Sequence, residues 1–361
     1  MRIFQNSGLY SGYLPRLNAL ASGTRTFRER LNAFLNDRFG ASHFLEPVLS
    51  GDASAFFTNG DDIPLQNMWA AENGMPLKSS LESILLAQIE DHRADVFYNL
   101  DPMRFQSTFV RRLPSCVKRS IAWRAAPSPR ADFSAYDRVV CNFPSILRSY
   151  AAKGWKSAYF FPAHDPALDD YACNDSRPID ILFIGGYSRH HTRRAQLLEQ
   201  IASMEGRYSV AMHLDQSRLA RFANSPIGSL LPLAKHRFPL QVRRVAKAAL
   251  FGRAMYSALS QAKVVLNGAV DMAGSDRGNM RCFEAFGGKC ALLTDAGNYP
   301  DGMISAKTML TYDDVPDALR KLSMLLDDAD FRTKISCAGN EMVRQRYSKK
   351  QQIEKFYELL L

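Results

Sequence analysis

The stretch 276-DRGNMRCFEAFGGKCALLTD-295 reads as loop, helix and strand in succession. A polar, glycine-bearing loop runs to Asn279, and Met280 to Phe286 has the period of a short helix. Gly287 and Gly288 stop that helix, and Cys290 to Thr294 is an apolar run of buried-strand type. Such a unit delivers a helix N-terminus to the carboxyl edge of a parallel sheet, the edge where open α/β sheets bind ligands. A helix start attracts phosphate. Arg281 offers a planar fork for an anion, and Glu284, one turn in, is placed to accept hydrogen bonds from ribose hydroxyls. A plain amphipathic helix with a solvated Arg and Glu accounts for the same residues.

Outward from this unit the same alternation continues. In the second half, Asp180 to Ile184 is a strand ending in Gly185-Gly186, followed by a helix from His191 to Ser203 and a strand from Tyr208 to His213. Further on come a helix from Gly252 to Ser260, a strand from Lys263 to Asn267, and helices over 315–326, 328–347 and 349–361. In the first half, Ile3-Phe4 opens a strand, and helices are expected over 27–38, 79–92 and 145–153. Strands are expected over 95–98, 120–123 and 138–141. Between the halves, Phe160 to Arg177 carries prolines and acids without a period and reads as a linker. The expected fold class is α/β, with domains at 1–160 and 179–348, a linker over 161–178 and a terminal helix over 349–361.

With 361 residues the chain is long enough for two full cores. No apolar run approaches a membrane span, and the N-terminus lacks the charged and apolar regions of a signal peptide. The six cysteines are scattered without a CxxC pair, which predicts a reducing, cytoplasmic setting without zinc or disulfides. The net charge of +10 favours anionic partners. Arg218, Arg221, Lys235, Arg237, Arg243, Arg244, Lys247 and Arg253 fall in a segment with no acid, interleaved with Phe222, Leu230, Leu231, Phe238 and Leu240. The blend over 218–253 suits either an interfacial segment on an anionic membrane surface or a solvated insertion. No nucleic-acid motif accompanies it, so no nucleic-acid partner is expected.

FEAFGGKCALLTD resembles the donor-binding signature of GT-B glycosyltransferases. VVLNGAVDMAGSDRGNMRCFEAFGG, with Leu-Asn after a strand and then Arg-x-Phe-Glu-Ala, resembles the CgeB-like, spore-maturation-type group. The resemblance covers Asp180 to the C-terminus. The first half shares the architecture and short runs such as FFTNGDDIPLQNMWAAENG and ADVFYNLDP. It implies two Rossmann-like domains facing across a cleft, with the last helix crossing back to the N-terminal domain. It also implies transfer of a sugar from a nucleoside diphosphate sugar to a hydroxyl acceptor (a glycan, lipid-linked or protein acceptor), with bacterial surface glycan as the destination. Glu284 would hold the ribose. The retaining branch's two glutamates, with seven residues between them, correspond here to Asp276 and Glu284. The co-substrate would be the nucleotide sugar, with no separate cofactor and no metal. Asp61-Asp62 and Asp169-Asp170 read as solvated turns.

The remaining candidates fall at loops. Gly185 and Gly186 permit close backbone approach to a diphosphate, with Arg189, Arg193 or Arg194 to neutralise it. Asn279 and Asp276 flank the helix start. His164 and Asp101 are candidate bases, and a linker histidine without function reads equally well. Asn6, Gly8, Tyr10 and Tyr13 after the first strand suit an acceptor by stacking and hydrogen bonding, or form a simple turn. Two other functions share this architecture: a nucleotide-sugar 2-epimerase, and a non-catalytic nucleotide-sugar- or membrane-binding protein.

Overall fold

The computed structural model describes residues 1–76, 78–188, 191–216, 218–225, 227–228, 232–233, 237–268 and 273–361. Contacts divide the chain into two units. The first comprises Met1–Ala163, Met272–Asp276 and Ser348–Leu361, and the second His164–Asp271 and Arg277–Tyr347.

The first unit holds a parallel sheet of β1 (Ile3–Ser7), β2 (Ala55–Asn59), β3 (Val96–Asn99), β4 (Arg119–Trp123), β5 (Arg138–Cys141) and β6 (Ser157–Tyr159), in the order β2-β1-β3-β4-β5-β6. Its strands are short apolar runs because helices cover both faces. Phe4, Val96, Phe97, Ile121, Ala122, Val139 and Val140 are all buried, and Phe4 stacks on Phe56 with ring centroids 5.0 Å apart. Two polar residues inside β1 serve backbone accounting. Gln5 donates to His43 O at 3.1 Å and accepts from Leu45 N at 3.1 Å, while Asn6 donates to Asn99 Oδ1 at 2.8 Å. Caps set the helix starts. Thr26 and Glu29 form a reciprocal capping box, and the Ser80 hydroxyl accepts from Ser83 N–H.

The helix Lys349–Glu358 belongs to this unit. The buried Lys349 ammonium donates to the carbonyls of Ala41 at 2.7 Å, Phe44 at 2.7 Å and Ser42 at 3.2 Å, and to Gln352 Oε1 at 3.1 Å. Phe356, on the same helix, packs against Tyr98 and Phe160.

The second unit holds β7 (Ile179–Gly186), β8 (Val210–Asp215), β9 (Ala246–Ala248), β10 (Ala262–Leu266), β11 (Ala291–Asp295) and β12 (Leu310–Tyr312), in the order β12-β11-β10-β7-β8-β9. All its pairings are parallel. Asp314, Asp328 and Ser348 each accept a backbone N–H at the start of a long C-terminal helix. Helix Ala329–Arg346 lies so close to helix Met280–Gly287 that a Cβ on Gly339 would sit 2.7 Å from the Phe286 ring. No helix among the described residues is long and apolar enough to cross a membrane.

The structure adds elements that the sequence pattern does not announce: β2, β6, β9, β12 and helix Ile63–Glu72. Residues 273–276, read in the sequence as part of the second half, group with the first unit. The 160–177 stretch is not featureless, since it contains the turn Pro166–Leu168 and helix Asp169–Ala172. The basic segment divides into helix Arg218–Ala223, helix Leu240–Val245 and edge strand β9.

Lys349→Met takes the donor from Phe44 O, while Ala41 O keeps Phe44 N–H and Ser42 O keeps Ala163 N–H and Gln352 Nε2, so a loss of roughly 1–3 kcal/mol of stability is expected, read as a lower urea midpoint. The neighbouring His43 gives a pH signature. Burial, with the Lys349 charge adding to it, holds its imidazole down at about 3, against roughly 6.5 when unfolded. Its contribution is therefore full above about pH 6.5 and declines as pH falls toward about 3. Urea midpoints across that window should fall less steeply in His43→Leu than in the parent, and equal slopes would show that His43 is not responsible.

Candidate functional site

In the second sheet the chain leaves β7 toward β8 and β9 on one side, and leaves β10 toward β11 and β12 on the other. The carboxyl ends of β7 and β10 therefore flank a topological switch point, where diverging connections leave a crevice. Gly185-Gly186 closes β7, and Asn267-Gly268 follows β10. Helix Met280–Gly287 starts at Asn279, and no side chain caps it. The side chain of Asn279 is committed elsewhere. It exchanges two 3.3 Å hydrogen bonds with Asn267, which also donates to Thr294 Oγ1 at 3.2 Å. These amides tie three strand and helix ends together and leave the helix N–H groups facing outward.

Arg194 is the distinctive group here. It lies on the first turn of helix Thr192–Ala202, shares a face with the buried Leu197, Leu198 and Ile201, and so points inward. Its guanidinium lies 5.4 Å from the Phe183 ring centroid and donates Nη2 to the Gly186 carbonyl. Its Nε is buried without a partner, and among the described residues no carboxylate pairs with it. Burial pulls its pKa down, opposed by Tyr312 and Asp295. Glycines make the room: a Cβ on Gly185 would meet the Phe183 ring at 3.0 Å, and one on Gly268 the Tyr312 hydroxyl at 3.4 Å and Arg194 Cδ at 3.7 Å. A desolvated cation without a directly paired carboxylate is costly, and a bound anion offsets that cost.

Glu284 is 3% exposed, and its carboxylate accepts from Arg281 Nη1 at 2.6 Å. Burial pushes the Glu284 carboxyl up, and Arg281 draws it down. Arg281 is thus turned to its own helix, and the cation at the switch point is Arg194. Arg193, expected beside a diphosphate, is exposed on the outer side of its helix. Arg189 lies outside the described residues.

Three further expectations change. Asp276, expected beside a donor sugar, groups with the first unit, where its Oδ2 accepts the Ser145 N–H at 2.6 Å on the first turn of helix Pro144–Ala151. The Ser145 hydroxyl returns a bond to Ala273 O at 2.9 Å, so the loop is doubly held. His164 is buried at the far, C-terminal end of helix Met280–Gly287. A Cβ on Gly287 would meet its Nδ1 at 2.9 Å, and its Nε2 pairs with Asp169 at 2.9 Å. Burial lowers its pKa while Asp169 raises it, and its Nδ1 is buried without a partner. Asp62 is no solvated turn residue. It is buried and chelated by Arg30 through Nε at 2.7 Å and Nη2 at 2.8 Å.

In the first unit the switch point lies between β1 and β3. Gly8 packs against Asp101, where a Cβ would meet Oδ2 at 2.8 Å. Asp101 takes Arg104 Nε at 3.2 Å, and Asp61, read in the sequence as a solvated turn residue, is largely covered and takes Leu9 N–H at 2.9 Å. Burial foremost, then Asp101, raises the Asp61 pKa. Tyr10 is 47% exposed at this edge. Asn6 and Tyr13 are interior. Asn6 accepts Gly60 N–H at 2.8 Å, and the Tyr13 hydroxyl donates to Asp37 at 3.0 Å.

Residues 192–358 match the sequence model of a family described as glycosyl transferase-like. No curated protein matches the sequence. Among solved structures, HepE of Anabaena, determined with UDP and glucose, is 11% identical, with 100% of this chain covering 99% of that one at a TM-score of 0.58. A glycosyltransferase from Rickettsia africae is 10% identical, with 99% of this chain covering 97% of that one at 0.57. TarM of S. aureus, determined with UDP and alpha-GlcNAc-glycerol, is 11% identical at 0.56, with 78% of this chain spanning 59% of that one. At these identities the likeness fixes the fold: two parallel six-stranded sheets with flanking helices, the GT-B arrangement.

The new reading of Asp276 carries its own check. Asp276→Ala removes a charged helix cap and should cost about 1 kcal/mol in chemical unfolding, whereas an unchanged midpoint would show the cap to be idle.

Proposed function

We propose that the chain transfers a sugar from a nucleoside diphosphate sugar to an acceptor hydroxyl, with the donor's diphosphate held at the β7–β10 switch point. The observation that carries this reading is Arg194, a buried guanidinium with an unpartnered Nε, set among Gly185, Gly186 and Gly268. The glycosyl transferase-like match over 192–358 and the UDP bound in the HepE and TarM structures support the same reading.

The chemistry follows from charge. As the bond from sugar carbon to phosphate oxygen breaks, negative charge accumulates on the departing diphosphate. Arg194 and the uncapped N–H groups of helix Met280–Gly287 lie where that charge develops, preorganised and partly dry. Glu284, one turn further in, accepts from the ribose hydroxyls, with Arg281 orienting its carboxylate and opposing the upward pull of burial on its pKa. In the first unit, the exposed Tyr10 ring and the Asp61 and Asp101 carboxylates beside Gly8 suit the stacking and hydroxyl contacts of a carbohydrate. The acceptor in this reading is a glycan or lipid-linked glycan of a bacterial surface.

Thermal shift against UDP, GDP, dTDP, CMP and their sugars tests the donor site. One nucleotide should raise Tm. Arg194→Ala should weaken its binding roughly 10- to 100-fold, the loss of one charge-assisted contact set, while Asp276→Ala should leave it intact. If no nucleotide shifts Tm, or if Arg194→Ala binds like the parent, the reading fails. Free nucleoside diphosphate appearing only when acceptor is present marks transfer, and its appearance without acceptor marks an epimerase or hydrolase.

A further inference from the structure

From Gln216 to Val270 the sequence contains no Asp or Glu, an uncommon interval in a chain with 36 acids. Among its described residues, four large apolar side chains stand in solvent: Leu219 at 45% exposure, Phe222 at 44%, Ile227 at 70% and Leu240 at 56%. Leu219 and Phe222 are three apart on helix Arg218–Ala223 and share a face. Hydrogen bonds gather the other two into the same neighbourhood. Asn224 Oδ1 accepts Phe238 N–H at 2.9 Å, and Gly228 O accepts Arg237 Nη2 at 2.9 Å. On helix Leu240–Val245 the buried Val242 and Val245 face the core, which turns Leu240, Arg243 and Arg244 outward, followed by the exposed Lys247 on edge strand β9. Arg221 is exposed beside Phe222. Beneath the patch Ala223 and Phe238 are buried, so it rests on a packed base.

Neither half of this composition is explained by the fold. Exposed apolar side chains are ordinary when scattered, but a cluster among cations, in a stretch of sequence with no acid, is complementary to one kind of surface. An anionic bilayer takes apolar side chains at the headgroup boundary and screens the cations around them. We infer that the surface of Leu219, Phe222, Ile227 and Leu240, with Arg221, Arg243, Arg244 and Lys247, docks the second unit on an anionic membrane. The switch-point residues take no part in it, so the inference stands or falls separately from the transfer reading.

Vesicle sedimentation of the full chain tests it, with phosphatidylcholine alone and with phosphatidylglycerol mixed in, at low and physiological salt. The parent should bind the mixed vesicles and leave the neutral ones. Leu219→Ser with Phe222→Ser should reduce binding about tenfold or more, and Arg243→Ser with Arg244→Ser about fivefold per charge removed. Both variants should keep the parent's Tm and nucleotide response, which shows that they are folded. The proposal is overturned if the parent ignores mixed vesicles. It is equally overturned if the serine pair at 219 and 222 binds as well as the parent, since the surface would then be a polyanion site without insertion. Tighter binding to a single-stranded oligonucleotide than to vesicles overturns it too.

Discussion

An open parallel sheet cannot be covered evenly at its carboxyl edge. Where two neighbouring strands send their connections in opposite directions, the loops part and a crevice remains. Each unit has one such pair, β1 and β3 in the first, β7 and β10 in the second, fixed by the strand orders. Everything distinctive about the second unit follows from how its crevice is furnished. Glycines at 185, 186 and 268 leave it open, amides at 267 and 279 brace its rim, and a helix begins there without a side-chain cap.

The contrast between its cations is instructive. Lys349 is buried but surrounded by carbonyls, Arg30 is chelated by Asp62, and Arg281 pairs with Glu284. Lys349 and Arg30 are satisfied by the fold and stabilise it, whereas Arg281 has a carboxylate partner while its own Nε is buried without one. Arg194 spends one donor on Gly186 and leaves Nε in a dry place without an acceptor. Folding alone gives no reason to place a guanidinium there, since burial opposes its charge. The same reasoning moves Asp276 the other way. Its carboxylate holds the first turn of helix Pro144–Ala151 through Oδ2, a structural role that its spacing from Glu284 does not announce.

Much of the fold was legible because both-face burial writes apolar runs directly into strands such as DILFI and into the ALLT of β11. Sheet-edge strands were less so. The edge strands β6, β9 and β12 have three residues each, too few to show a period. Helix Ile63–Glu72 begins with Ile-Pro and is apolar on more than one side, so its pattern has no clear face. Helical phase, by contrast, was available. Arg194 falls in register with Leu197, Leu198 and Ile201, whereas Arg193 does not, and that register separates an inward cation from a solvated one.

What the sequence does not write is who takes whose charge. Asp61 and Asp62 are adjacent and look alike, yet Asp62 is locked to Arg30, while Asp61 faces Asp101, with Leu9 N–H, its own N–H and Arg104 to hold its charge. Such assignments depend on residues distant in the chain, with Arg30 and Asp62 thirty-two apart and Asp276 and Ser145 one hundred and thirty-one. A motif selects residue types able to do the chemistry. Long-range pairing then removes most of them from contention, and those left underpaid in hydrogen bonds at a crevice are the ones a ligand completes.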